Sequence, residues 1–224
     1  MSDEQKKKIF PKTFLTGCDE KTEWQLPLFL KHFRKHNHTT KLIVADFGMS
    51  TRMARTMEAS EEVQAIMHMS ADVPEKGWFY KPMSMFHCPA IQTVWIDTDC
   101  IIHENIDDIF DKLKANKLNM VEDRPWTQRR RETWYNSGVV GIIHKPDILK
   151  KWVAAVRTSQ TVGDQEVLHS ILNPITQMTH INPLPNEYNV LRLQTELDGY
   201  KGKVKVMHWT GEKGNEQLRS MMND

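Results

Sequence analysis

Three short apolar runs in the first half of the chain constrain its fold more than any other feature. Thr13 to Gly17, Lys41 to Ala45 and Gln92 to Ile96 each stop abruptly at polar or acidic residues: Cys18 and Asp19, Asp46, and Asp97-Thr98-Asp99. Short runs without polar alternation are expected of strands covered on both faces. Between the first two runs, Trp24, Leu28, Leu30 and Phe33 recur at roughly helical spacing, with Pro27 near the first turn, where its missing N–H costs least. Strands alternating with helices predict an α/β sheet with helices on both faces. Ligands of such sheets sit beyond the carboxyl ends of the strands, where Cys18, Asp46 and Asp97 would fall.

The other segments complete this picture. Thr51 to Met69, rich in Met, Ala and Glu, reads as helical and is interrupted at Asp72 to Gly77 by Pro74. Tyr80 to His87 reads as a short helix, Ile106 to Ala115 as a helix, Leu118 to Val121 as a strand, and Asp123 to Glu132 as a polar, arginine-rich loop. Tyr135 to Ile143 returns to strand, Pro146 opens a helix through Trp152 to Val156, and Asp164 to Leu172 forms a second helix. Loop and short strand follow until Lys203 to Met207, which is apolar at alternate positions. With 224 residues and no repeat, low-complexity tract or linker, a single domain is expected.

Composition excludes several classes. Lys and Arg total 30 against 29 for Asp and Glu, a formal charge of +1, so there is no general pull toward nucleic acid or anionic membrane. Any attraction for phosphate must come from local placement of charge. Cys18, Cys88 and Cys100 lack close pairing, which fits a reducing compartment and argues against a cysteine-rich zinc site. Met1 to Lys8 are polar with no apolar signal core behind them, and no window is long and apolar enough to cross a bilayer. A cytoplasmic protein with no stable membrane anchor is expected.

The chemistry centres on Asp97 and Asp99, two carboxylates one residue apart directly after Val94-Trp95-Ile96. Like charges this close to an apolar strand resist joint ionisation unless a cation is present, and a hard divalent ion resolves the conflict. A solvated acidic turn is the alternative. His208 closes the strand Val204 to Met207 and precedes Trp209, Thr210, Gly211, Glu212 and Lys213. Its imidazole could complete a metal's ligands, Gly211 allow backbone approach to phosphate, and Lys213 supply countercharge. Asn136-Ser137-Gly138 and Gly163-Asp164-Gln165 place a carboxylate with amide groups, a way to read sugar hydroxyls, although taken singly a helix N-cap at Asp164 and a tight turn at Asn136 and Gly138 are the favoured explanations.

In this order the segments resemble the family 8 retaining glycosyltransferases, which include glycogenin and bacterial lipopolysaccharide galactosyl- and glucosyltransferases. The matching pieces are Thr16-Gly17-Cys18-Asp19, Lys81, Trp95-Ile96-Asp97-Thr98-Asp99, Tyr135-Asn136-Ser137-Gly138-Val139, Gly163-Asp164-Gln165, and His208-Trp209-Thr210-Gly211 with Lys213. The resemblance implies a GT-A fold, a Rossmann-like mixed sheet flanked by helices in a single domain, with a nucleotide-binding half (12–122) and an acceptor-binding half (123–224). It implies that Thr16, Gly17, Cys18 and Asp19 line the nucleoside pocket, and that Asp97, Asp99 and His208 hold Mn²⁺, with Mg²⁺ possible. Asp97-Thr98-Asp99 would also meet the donor. Lys81, Gly211 and Lys213 would face the diphosphate, and Asn136, Gly138, Asp164 and Gln165 the donor sugar. The donor implied is UDP-glucose or UDP-galactose; the acceptor would be a glycan or other hydroxyl compound.

Two departures stand out. Lys213 follows Gly211 by two residues where the family spaces it by three and continues with Pro-Trp; here Gly214 follows. The chain also lacks a basic or aromatic tail, and its compact length is similar to that of short phage-encoded members. Retention implies either same-face attack or a double displacement with Asp164 or Gln165 as nucleophile. Two other classes remain: a non-catalytic nucleotide-sugar-binding module, and a haloacid-dehalogenase-type phosphotransferase. The latter normally carries D-x-D near the amino terminus, with Thr or Val where this chain has Ile101.

Overall fold

Side chains that alternate between two faces of one sheet organise the chain. The computed structural model describes residues 9–69, 77–161 and 163–223. In order, the first half runs β1 (Phe10–Cys18), α1 (Leu26–Lys35), β2 (Leu42–Asp46), α2 (Thr51–Glu58), β3 (Val63–His68), α3 (Tyr80–His87), β4 (Ala90–Ile96), β5 (Cys100–Ile102) and β6 (Leu118–Glu122). The second half runs α4 (Arg124–Arg130), β7 (Tyr135–Ile143), α5 (Asp147–Thr158), α6 (Asp164–Ser170), α7 (Pro174–His180), β8 (Ile181–Pro183), β9 (Val190–Leu191), α8 (Arg192–Leu197), β10 (Val206–His208) and α9 (Gly211–Asn223).

Seven strands form the main sheet in the order β3-β2-β1-β4-β7-β6-β8, and β5-β10-β9 form a small second sheet. The first four strands of the main sheet are parallel, and β7 runs antiparallel to both β4 and β6. Phe14, Val44, Val94, Ile96 and Val139 face one way and pack with Leu26, Phe29, Leu30 and Phe33 of α1. Their neighbours Leu15, Ile43, Trp95 and Val140 face the other way, against Met83 of α3, Trp152 of α5 and Leu168 of α6. The expected α/β sheet with helices on both faces is therefore observed. Thr16 Oγ1 donates to the Ile96 carbonyl at 2.7 Å, fixing β1 against β4 where both strands end. Among the described residues no helix is long and apolar enough to cross a membrane.

The structure corrects several expectations. Thr51 to Met69 is not one helix: α2 ends at Glu58 and the chain returns as β3. Residues of good helical propensity yield here because β3 completes the sheet edge, pairing with β2 from Leu42↔Val63 to Asp46↔His68. Residues 72–76 of the expected break fall outside the described residues, as does the polar segment 1–8. Ile106 to Ala115 forms only a 3₁₀ turn, Asp107–Lys112. The expected loop Asp123 to Glu132 is helix α4, started by the Asp123 carboxylate, which accepts from the Trp126 N–H at 3.1 Å, and by Pro125 in the first turn.

The segment after His208, where Gly211 and Lys213 are expected to meet phosphate, continues as α9. Gly211 opens that helix at φ +75°. Gly214 lies where a Cβ would stand 2.1 Å from the Trp209 carbonyl oxygen. Two glycines in a first turn weaken a helix, and packing restores it: Leu218 and Met221 meet Leu28, Ile101 and Trp24, while the Arg219 guanidinium sits 4.0 Å from the Trp24 ring centroid.

Trp152 connects this framework to the helix start at Asp164. It is fully buried, and its Nε1 donates to the Asp164 carbonyl at 2.9 Å. Trp152→Ala should lower stability by about 3–5 kcal/mol. Trp152→Phe, which keeps most of the packing but frees that buried carbonyl, should cost about 1–3 kcal/mol. Urea denaturation of both variants checks the order.

Candidate functional site

Strand order places the site. From β1 the chain crosses to β2 on one side, while β4 pairs on the other, so their carboxyl ends open a crevice at a topological switch point. Cys18 and Asp19 leave β1 there, and Asp97 leaves β4. A cleft of about 550 Å³ occupies the crevice, within the usual range for small-ligand sites. Gly17, Cys18, Asp19, Thr22 and Phe47 line one end, Lys81, Asp97, Thr98, Asp99 and His208 the middle, and Asn136, Asp164, Gln165 and Trp126 the other.

The antiparallel pairing of His208 with Cys100 in the second sheet carries the imidazole to the acidic motif. His208 Nε2 lies 3.1 Å from Asp99 Oδ1 and 3.8 Å from Asp97 Oδ2. Two carboxylates and an imidazole converging in this way fit a hard divalent cation such as Mn²⁺ or Mg²⁺. Burial, then the Asp99 charge, raises the Asp97 carboxyl above its usual range despite Lys81 nearby. Ionising all these groups together therefore calls for added positive charge. Cys100 was not anticipated beside them: Asp99, Cys100 and His208 present ligand atoms within 4.8 Å of one another. Burial and the two aspartates keep that thiol well above its ordinary pKa.

Lys81 supplies the fixed cation. Only 3 % exposed, its ammonium lies 2.9 Å from Asp97 Oδ1 and 3.2 Å from Asp164 Oδ2, and donates to the Ser137 carbonyl at 3.1 Å. Burial would lower its pKa, but the Asp164 and Asp97 charges outweigh it and hold the ammonium charged. Asp164 Oδ2, itself buried, is held by its ion pair with Lys81. Trp95 Nε1 donates to Asp97 Oδ1 at 2.5 Å, a partner the sequence reading missed because a strand tryptophan reads as core.

A buried chain of amides orders the rest. Asp123 Oδ2 accepts from Gln165 Nε2 and from Asn136 Nδ2, both at 3.1 Å. Gln165 Oε1 accepts from Asn136 Nδ2 at 3.0 Å and from the Ser137 N–H at 3.2 Å. Asn136 Oδ1 accepts from Asn189 Nδ2 and from the Gly138 N–H, both at 2.8 Å. His208 Nδ1 stands 3.1 Å from both Asn136 Oδ1 and Asn189 Oδ1. Two acceptors assign the proton to Nδ1 and turn Nε2 toward the aspartates, the usual orientation of a metal-ligating histidine. Asp123 and Asn189 escaped the sequence reading. Asp123 lay in a segment taken for loop, and Asn189 carries no local signal.

Three residues expected to contact the donor stand elsewhere. Thr16 is buried with its hydroxyl spent on Ile96, and it does not line the cleft. Lys213 is exposed on α9 and does not line the cleft either, whereas Thr210, Gly211 and Asn215 do. Gly138 serves the histidine: a Cβ there would stand 2.1 Å from His208 Cε1.

Gly138→Ala should therefore displace the imidazole and weaken Mn²⁺ binding by about ten-fold or more, measured by calorimetry or by electron paramagnetic resonance of free Mn²⁺. A pH dependence follows from His208. Burial lowers its pKa, but the Asp99 and Asp97 charges overcome this and raise it above 6.5. Without metal, the resulting ion pair stabilises the fold fully below the ordinary histidine range and fades as pH climbs through the raised value. Metal needs the unprotonated Nε2, so affinity for Mn²⁺ should rise with pH across that window, with proton release detectable by titration in buffers of different ionisation enthalpy.

No protein-family model and no curated protein matches the sequence; solved structures do. Galactosyltransferase LgtC, in complex with donor and acceptor sugar analogs, superposes with a TM-score of 0.67 at 13% identity, covering 94% of this chain and 95% of its own. GlyE of Streptococcus pneumoniae TIGR4 gives 0.68 at 14% identity, over 92% of this chain and 55% of its own. The bifunctional glycosyltransferase WbbM gives 0.66 at 12%, over 91% and 46%. The chain thus spans nearly all of LgtC but about half of GlyE and WbbM. Its mixed seven-stranded sheet flanked by helices is the fold of the GT-A glycosyltransferases.

Proposed function

We propose that the chain is a retaining glycosyltransferase that moves glucose or galactose from a UDP-sugar to a hydroxyl of a glycan or similar acceptor, in the cytoplasm and with Mn²⁺, which Mg²⁺ could replace. The observation that carries this reading is the meeting, in one cleft, of a divalent-cation donor set with a separate buried carboxylate. Asp99 and His208, with Asp97 3.8 Å from the imidazole, would form the first, and Asp164, held by Lys81, the second. The fold shared with a galactosyltransferase that binds donor and acceptor sugar analogs supports it. Residues 12–122 would carry the nucleotide and 123–224 the acceptor.

A divalent ion held by Asp97, Asp99 and His208 would supply positive charge against the departing diphosphate. The chain's own groups do the rest. Phe47, itself stacked on Tyr80 and Trp95, would form a wall for the nucleoside with Cys18, Asp19 and Thr22. Lys81, already charged, adds to the stabilisation of the leaving group. As the glycosidic bond breaks, the Asp164 carboxylate stabilises the cationic character of the sugar. Gln165 is less suited to nucleophilic attack, because its carbonyl oxygen already accepts two N–H groups; it acts here by holding Asn136 and Ser137. A double displacement would thus use Asp164. In same-face attack, the leaving phosphate oxygen would take the acceptor's proton.

Incubation with a panel of nucleotide sugars and Mn²⁺ should release nucleoside diphosphate, and Asp97→Ala or chelator should reduce this by at least about a hundred-fold. Asp164→Asn should lower kcat with little change in KM. Release indifferent to chelator and to Asp97→Ala would sink the metal-site reading. Binding without turnover would favour a binding module, and phosphate released from phosphomonoesters a dehalogenase-type phosphotransferase.

A further inference from the structure

Helix α4 stands at the end of the cleft remote from the nucleoside wall, where Asp123 and Trp126 line it beside Asp164 and Glu166. On it, and one residue beyond, Arg124, Arg129, Arg130 and Arg131 are all exposed. Among the described residues none of the four has a carboxylate within ion-pair distance. Some other exposed cations are paired, Arg34 with Glu62 at 2.7 Å, Lys150 with Asp147 at 2.8 Å and Lys203 with Glu104 at 2.8 Å. In a chain of formal charge +1, these arginines are a local concentration that overall balance conceals.

Helix stability accounts for only part of it. Basic groups in a last turn suit the helix dipole, which covers Arg129 and Arg130, but Arg124 begins the helix at the dipole's positive end. The guanidiniums also have a definite arrangement. Arg130 lies 5.0 Å from the Trp126 ring centroid and 5.4 Å from that of Trp134, and Arg129 lies 5.6 Å from that of Trp126. Trp126, half-buried, stacks on Trp134 with centroids 5.8 Å apart, and Trp134 stacks on His169 at 4.0 Å. The indole at the cleft is thus held rigid, with two guanidiniums framing it.

We infer that this surface receives an acceptor saccharide bearing an oxyanion, a phosphate or a carboxylate. The sugar ring would lie against Trp126 and the anion on Arg129 and Arg130. Guanidinium groups pair with either anion through two parallel charge-assisted hydrogen bonds, a geometry that hydroxyls alone do not match. Arg130 also lines a smaller cavity beyond, about 270 Å³, together with His169, Glu132 and Glu166. This inference rests on the glycosyl-transfer reading and extends it to the class of acceptor.

The test titrates the Mn²⁺-loaded protein, by calorimetry or tryptophan fluorescence, with four probes: a hexose 6-phosphate, a glucuronate-containing disaccharide, a neutral disaccharide and a short DNA duplex. An anionic saccharide should bind about ten-fold more tightly than the neutral one, lose affinity as salt rises, and fall to the neutral level in the Arg129→Gln/Arg130→Gln double variant. Preference for the phosphate or for the glucuronate identifies the anion, and either supports the inference. Equal binding of neutral and anionic saccharides, or a preference unchanged in the double variant, overturns it. So does duplex binding tighter than either anionic saccharide, which would make α4 a nucleic-acid surface. Donor turnover is followed in parallel: its absence overturns both readings, whereas turnover without anion preference overturns only the acceptor.

Discussion

The buried ammonium of Lys81 is the interaction on which the site depends. Sheet topology gathers Asp97, Asp99 and Asp164 at the carboxyl ends of the strands, where burial makes their joint ionisation costly. Lys81, on α3, reaches both Asp97 and Asp164, and so ties the acidic motif to the start of α6. A buried ion pair is weak evidence for stability, since desolvation offsets much of the attraction. Its consequence here is geometric: the two carboxylates keep a fixed separation with one cation between them, and Asp99 with His208 remains for a second.

The amide chain from Asp123 to His208 gives the site its second constraint. Its amides donate to one neighbour and accept from another, between the accepting Asp123 carboxylate and the donating His208 ring, so the orientation of Gln165 and the tautomer of His208 belong to one network. Partly satisfied networks of this kind cost more than apolar packing, whereas fully connected ones rigidify the groups they join. Its members all come from the second half of the chain, whereas Lys81, Asp97 and Asp99, which they face, come from the first. The cleft is therefore a property of the merged sheet and not of either half alone.

Local pattern made much of this legible. The strand ends, read at Gly17, Ala45 and Ile96 and found at Cys18, Asp46 and Ile96, the helix Tyr80–His87 and the strand Tyr135–Ile143 all follow from apolar runs and where they stop. The errors have separate causes. In β3, pairing to β2 overrode helical propensity. In α9, packing of Leu218 on Leu28 and Ile101 overrode two glycines. In α4, the Asp123 cap and Pro125 were visible in the sequence but outweighed by the run of arginines. Of the site, Asp97, Asp99, Asp164 and His208 stood out through residue type at strand and helix ends and Lys81 only through the family resemblance, while Trp95, Asn189 and Trp126 carried no such mark.

The sequence by itself determined that two carboxylates leave a buried strand together and that an α/β sheet would place them at its carboxyl edge. These are consequences of residue order and of hydrophobic burial. Only the tertiary structure decided which groups meet them. Pairing of His208 with Cys100 turns the imidazole onto Asp99, and the space left by Gly138 admits it. Likewise Thr16 was turned into the core and Lys213 onto an exposed helix. Those outcomes depend on distances between residues far apart in the chain, which no local pattern encodes.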